Sequence, residues 1–322
     1  MTDTLAVPTT RNRKVETKRA KENAALRLGE LAAARHDQSL GDDYIKLAQF
    51  MILCTLPYSE QDERQITRRA RMGDGSYLEV TFTALRAGVP LPFGADRKLL
   101  AWLFDRAIRA KSAFIPWESA QEYQREMGLS MSGRSNRQLS ERFQRIAGLG
   151  VNIVREGDNK ERVRNYLIFE DSFLPKSITG KTLEASGQQR LPELQDNYGF
   201  AMHGKLFGDI QKYHIALPRQ LWRELPGTTQ VQDLVYFLIW RSYSAASQSV
   251  IPWESLQEQF PQDSNPRRFK ANAREAVRLL RIMWPSVRLE AGERGIEVDR
   301  PAQPLLENDE AKGRVRRIAR KG

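Results

Sequence analysis

A single cysteine, Cys54, leaves this 322-residue chain unable to close an internal disulfide or to build a thiolate zinc site. Histidine is almost as scarce. His36, His203 and His214 include no pair spaced to share a metal ion, and the paired-histidine motif of nicking endonucleases is missing. No stretch approaches the ~18 consecutive apolar residues of a membrane span, so no membrane partner is expected. The opening "MTDTLAVPTTRNRKVETKRAK" lacks the ordered basic, apolar and cleavage regions of a secretory signal, which predicts a soluble, cytoplasmic protein. Cys54 sits in "FMILCTLPY" and reads as core filler rather than a nucleophile. "TGKT" at Thr179–Thr182 resembles the end of a phosphate-binding loop, but its upstream glycine position is Pro175, so it reads as linker. Acidic residues form no pair distinguishable from surface charge. The expectation is therefore no catalytic residue, no metal and no cofactor.

What the chain has in excess is positive charge. Lys and Arg number 51 against 40 Asp and Glu, a net charge of +11 that favours polyanionic partners. The stretch from Lys312 to Gly322, "KGRVRRIARKG", holds six Lys/Arg and no acid, and the run from Arg11 to Arg35 is basic but diluted by Glu16, Glu22 and Glu30. Both ends read either as solvated extensions or as nucleic-acid contacts.

The chain also repeats itself. "IPWES" occurs at Ile115–Ser119 and again at Ile251–Ser255, and a Gln-Glu pair recurs at the same offset (Gln121 and Glu122, Gln257 and Glu258). Upstream, the same offset aligns Tyr77 with Tyr213, Leu85 with Leu221 and Pro90 with Pro226. Such self-similarity points to an internal duplication.

Within one repeat the order of elements can be read. "ADRKLLAWLFDRAIRAK", with Asp96 as the expected N-cap, and "TTQVQDLVYFLIWRSYSAA" read as helices. Each Ile-Pro reads as a short strand handing over to a helix, because a residue before proline is held extended while proline tolerates a helix's first turn. Glu118 and Glu254 are expected in that turn, and Trp117 and Trp253 as core anchors. Gly128 and Pro261 stop the short helices.

A second helix follows each stop. In "GRSNRQLSERFQRIAGLG" the inward stripe is Leu139, Phe143 and Ile146, with Arg134, Arg137, Arg142 and Arg145 outward. In "NPRRFKANAREAVRLLRIMW" the inward stripe is Phe269, Ala273, Ala276, Val277 and Leu280, while Arg267, Lys270, Arg274, Arg278 and Arg281 face out and Arg268 adds charge. Asn136 and Asn272 are the side chains best suited to adenine, as arginine is to guanine. A hairpin comes next in each copy, around Gly157-Asp158-Asn159 and around Ala291–Gly295. The first carries Arg155, Lys160, Arg162 and Arg164, expected to grip phosphates, and the second is shorter and more acidic.

Helix, short strand, helix, turn, helix and hairpin is the order of a winged helix-turn-helix, whose last helix enters the major groove. The expected fold class is α+β, with tandem winged-helix domains from an internal duplication. Expected boundaries are a basic extension over 1–43 (partly helical or disordered), domains over 44–178 and 199–300, a linker over 179–198 and a basic disordered tail over 301–322.

The segments "ILCTLPYSEQD" (Ile52–Asp62), "GVPLPFGADRKLLAWLFDRAIRAKSAFIPW" (Gly88–Trp117), "MGLSMSGRSNRQLSERFQRI" (Met127–Ile146) and "SVIPWESLQEQF" (Ser249–Phe260) resemble plasmid replication initiators of the RepA family. The resemblance spans about Asp43 to Arg300. It implies binding to repeated double-stranded sites in a plasmid origin, remodelling of that origin and loading of a host replication initiator and replicative helicase in a bacterial cytoplasm. It further implies a homodimer that represses its own gene while the monomer initiates. A plasmid-encoded transcriptional repressor needs the same helices and stands as the alternative. A nicking or helicase enzyme would need the histidine pair or phosphate loop that the sequence lacks.

Overall fold

The computed structural model describes residues 10–34, 44–72, 75–117, 119–129, 132–157, 160–173, 198–245, 247–260, 265–302 and 305. The chain enters as a long helix, α1 (Thr10–Ala34), followed by strand β1 (Tyr44–Ala48) and a one-turn helix α2 (Gln49–Leu53). A hairpin, β2 (Gln65–Arg71) and β3 (Tyr77–Ala84), precedes α3 (Asp96–Ala110), β4 (Phe114–Pro116), α4 (Ala120–Glu126) and α5 (Gly133–Ala147). Strands β5 (Leu149–Gly157), β6 (Lys160–Leu167), β7 (Phe169–Phe173) and β8 (Gly199–Met202) come next, then α6 (Gly204–Lys212), β9 (His214–Pro218) and α7 (Arg219–Glu224). The last stretch holds α8 (Thr229–Ser244), β10 (Ser249–Pro252), α9 (Trp253–Gln259), α10 (Pro266–Met283), β11 (Arg288–Ala291) and β12 (Gly295–Asp299).

Both Ile-Pro pairs end strands, as the geometry before proline requires. Glu254 lies in the first turn of α9. In the other copy α4 starts only at Ala120, with Ser119 as N-cap accepting the Glu122 amide, and Glu118 lies outside the described residues. Gly128 follows α4 at φ +64°, the left-handed conformation that glycine adopts without strain. The expected role of Asp96 needs correction: Ala95 is the N-cap of α3. Asp96 is instead the helix's first residue, and its carboxylate accepts the Phe93 amide at 3.0 Å.

The chain divides into two compact units that differ from the expected boundaries. One contains α1, α7, α8, β10, α10, β11 and β12, so the N-terminal helix belongs with the C-terminal elements. The other contains β1 to β9, α2 to α6, and α9. Residues 179–197 of the expected linker, "TGKT" within them, lie outside the described residues, as do the last 17 (306–322), which include the "RRIARK" stretch.

In the first unit α10 packs on α8, whose Val231, Leu234, Val235, Leu238 and Ile239 are all buried. Strands β10, β12 and β11 form an antiparallel sheet in that order. Gly295 faces Pro252 across it, and a Cβ there would stand 1.9 Å from the Ile251 carbonyl oxygen, so only glycine fits. In the second unit β2, β3, β5 and β6 form a four-stranded antiparallel sheet, and β4, β8 and β7 a three-stranded one. Its core gathers Trp102, Trp117, Tyr123, Phe143 and Phe200, with Trp117 edge-on to Phe143 at 4.5 Å and Trp102 edge-on to Tyr123 at 5.3 Å. Such aromatic pairs add about 0.5–1.5 kcal/mol beyond their buried area. Helix α9 packs against β2 with Trp253, Leu256 and Phe260 buried.

The order helix, strand, helix, helix, hairpin occurs twice, in α3-β4-α4-α5-β5-β6 and α8-β10-α9-α10-β11-β12. The upstream identities do not share that correspondence. Tyr77 opens strand β3 whereas Tyr213 caps the C-terminus of α6, and Leu85 is exposed after β3 whereas Leu221 is buried in α7. Among the described residues no helix is long and apolar enough to cross a membrane.

Candidate nucleic-acid interface

Helix α10 starts under two local controls. The Asn265 side chain accepts the Arg267 amide at 3.0 Å, and Pro266 occupies the first turn, where its missing N–H costs nothing. Its inward stripe, Phe269, Ala273, Ala276, Val277 and Leu280, is fully buried, which fixes the helix's rotation. Arg267, Arg268, Arg274 and Arg281 are exposed, and Lys270 is half-buried. Arg267, Arg274 and Arg281 are seven residues apart, close to two helical turns, so they form a line along one face. At 1.5 Å per residue that line spans about 21 Å.

Two residues expected on this face are engaged elsewhere. Arg278 bonds Glu275 at 2.9 Å and Glu22 of α1 at 2.7 Å. The hydrogen bond from Arg278 holds the Glu275 carboxyl below its usual range, and the same bond raises the guanidinium. Asn272 donates to Gln230 of α8, so its amide ties two helices together rather than facing outward.

Helix α5 is more heavily diverted. Its N-cap, Ser132, accepts the Ser135 amide, and Leu139, Phe143 and Ile146 are buried as expected. Arg137 is exposed, and the Arg134 side chain lies outside the described residues. Arg145 makes two bonds to Asp96, at 2.6 and 3.0 Å, and Arg142 approaches the same carboxylate at 3.7 Å. Asp96 is 1% exposed. A carboxylate buried that completely needs cations, and these two arginines supply them rather than facing solvent. Arg145 also lies over the Phe93 ring at 4.6 Å. Asn136 is exposed, as expected, and its side-chain oxygen accepts from Gln124 of α4 at 2.8 Å.

The β5–β6 hairpin presents a cationic face near its tip. Arg155 and Arg162 stand directly opposite one another in the antiparallel register, both exposed. Two positions along, Arg164 is instead committed to Asp209 of α6, with Tyr166 donating to the same carboxylate at 2.6 Å. Lys160 faces Gly157 in the register, and its side chain lies outside the described residues. Arg69 of β2, which the sequence pattern did not single out, pairs with Glu156 at 2.8 Å and covers the Tyr77 ring at 4.1 Å. The β11–β12 hairpin is different: Glu290 faces Glu297, and Arg288 reaches Asp299 at 3.2 Å.

Other candidate groups have structural partners. The Cys54 thiol is fully buried and points at the Arg68 carbonyl at 3.7 Å, and burial pushes its pKa far above the ordinary range. His203 caps α6 by accepting the Lys205 amide, the His214 ring contacts the Ile210 carbonyl, and His36 lies outside the described residues. Among the described residues no three His, Cys, Asp or Glu side chains cluster as metal ligands would.

No protein-family model matches the chain, and no curated protein matches it. Two solved structures are similar to it over most of its length. The crystal structure of RctB domains 2-3 is 12% identical, with a TM-score of 0.42, covering 79% of this chain and 97% of that one. The selenomethionine derivative of domains 2 and 3 of RctB is also 12% identical, with a TM-score of 0.44, covering 77% of this chain and 94% of that one. Overlap this loose carries no information about chemistry.

Proposed function

We propose that this chain is a non-enzymatic, sequence-specific double-stranded DNA-binding protein with two winged helix-turn-helix modules, acting at a plasmid origin to initiate replication and regulate its own expression. The observation that carries the reading is the exposed line of Arg267, Arg274 and Arg281 on a helix whose opposite face is entirely buried. A helix so anchored offers a rigid cationic edge about the right size for the major groove, where arginine reads guanine and phosphates fix register. The exposed hairpin cations Arg155 and Arg162 add backbone contacts, as does the exposed Arg137 of α5. The element order repeated around α5 and α10 supports the module assignment, and the RepA-like segments support the origin as target.

Selection of bound fragments from a library containing the parent replicon tests the DNA reading. Enrichment of one repeated site is the expected result, and equal retention of all duplexes would contradict it. Initiation is separated from repression alone by deleting the gene: loss of plasmid maintenance supports initiation, and maintenance with raised transcription supports the repressor.

A further inference from the structure

Helix α1 belongs to the same compact unit as α10 and is anchored along it. Ala25 and Leu28 are buried, and Gly29 lets the backbones approach closely: a Cβ there would stand 3.1 Å from the Met283 carbonyl oxygen. Further back, Glu22 pairs with Arg278. Contacts at 22 with 278 and at 29 with 283 mean that the two helices run in the same direction. Thr10 and Pro266, where the helices start, each lie twelve residues before that ion pair, so the two N-termini are close to level.

That arrangement brings like charges together. The positive ends of two helix dipoles lie at the same end of the pair. Among the described side chains, Lys18, Arg19 and Lys21 of α1 lie toward the end of the pair where α10 carries Arg267, Arg268, Lys270 and Arg274. Lys18 is exposed and Lys21 half-exposed, with Glu275 the nearby acid. Lys18 and Lys21 outnumber that one acid, so a polyanion would be attracted along this side of the pair, and the fixed docking of Ala25, Leu28 and Gly29 keeps both lysines beside the α10 edge.

We infer that the N-terminal half of α1 is a phosphate-binding rail, with Lys18 and Lys21 contacting one DNA strand while α10 occupies the groove. This rests on the DNA-binding reading of α10. The rail carries no sequence information, since phosphate contacts position without reading bases.

The test compares salt-dependent binding of the full chain to a duplex carrying its selected site. Lys18→Gln with Lys21→Gln should flatten the logarithmic salt slope by about 1.8, two contacts at ~0.9 each, and weaken specific and random duplexes by the same factor. Arg27→Gln, exposed on the C-terminal half of α1, should leave the slope unchanged. Lys18→Arg with Lys21→Arg should restore it, which separates charge from any effect on helix docking. A double Gln variant with the wild-type slope, in a protein whose binding still depends on Arg274, would overturn the rail alone. Wild-type protein that binds no duplex would overturn both the rail and the DNA reading beneath it.

Discussion

Arg145 grips the buried carboxylate of Asp96 through two hydrogen bonds, Nε to Oδ2 at 2.6 Å and Nη2 to Oδ1 at 3.0 Å. This pair joins the start of α3 to the last turn of α5, and Arg142 stands by it at 3.7 Å. Replacing Asp96 with Ala leaves two cations without their buried partner. The expected cost is about 3 kcal/mol of stability, in the range found when one member of a buried pair is removed. Urea unfolding measures it. Duplex affinity of the folded variant should stay at the wild-type level, because neither arginine is on the contact surface.

Asn272 and Arg274 are two positions apart and should respond oppositely. Asn272→Ala breaks the bond to Gln230 and should lower stability by about 1 kcal/mol while leaving sequence preference intact. Arg274→Ala should leave stability within about 0.5 kcal/mol, as exposed substitutions do. It should cost about 1–3 kcal/mol of specific binding if the side chain reads a base. Melting curves and competition binding on the same two proteins check both statements.

Arg162 offers a test in which binding moves and stability does not. It is exposed on the hairpin, so Arg162→Ala should leave stability within about 0.5 kcal/mol. The same change should weaken DNA binding and lower the salt slope by about 1. A variant equally tight in binding would remove the hairpin from the interface.

The Glu275–Arg278 pair sets a pH dependence. Arg278 holds the Glu275 carboxyl below its ordinary 4.5, so the native state favours the ionised form. That contribution is fully present above 4.5 and disappears as pH falls through the lowered native value. Glu275→Gln should therefore be less stable than wild type at pH 7, with the difference shrinking as pH drops below 4.5. Unfolding midpoints of both proteins over that range show it.

Periodicity in the sequence was enough to place α8, α10 and their buried stripes, because 3.6-residue spacing of Phe269, Ala273, Ala276, Val277 and Leu280 has one physical reading. The hairpin around Gly157-Asp158-Asn159 was legible for a similar reason, two β-prone arms about a turn sequence. Which arginines face solvent was not. Arg142 and Arg145 sit at helical phases that look outward on an isolated helix, and only a carboxylate 46 and 49 residues upstream turns them inward. Asn272 was hidden for the same reason, since its partner Gln230 lies on another helix. The docking of α1 on α10 was equally hidden: a basic helix with Ala25, Leu28 and Gly29 on one side shows no partner until the fold brings Met283 against it. Identity at a fixed offset also reaches further than shared structure, as Tyr77 in a strand and Tyr213 at a helix end make plain.

The most direct test of DNA binding by α10 is the salt dependence of affinity for a selected duplex, with wild type set beside Arg267→Ala, Arg274→Ala and Arg281→Ala combined. Wild type contacting about six phosphates should give a logarithmic slope near −5, and the triple variant should flatten it by about 0.9 for each of the three that contacts phosphate and lose sequence preference for each that reads a base. A triple variant with the wild-type slope and the wild-type sequence preference would mean that the line of arginines on α10 is only a solvated face.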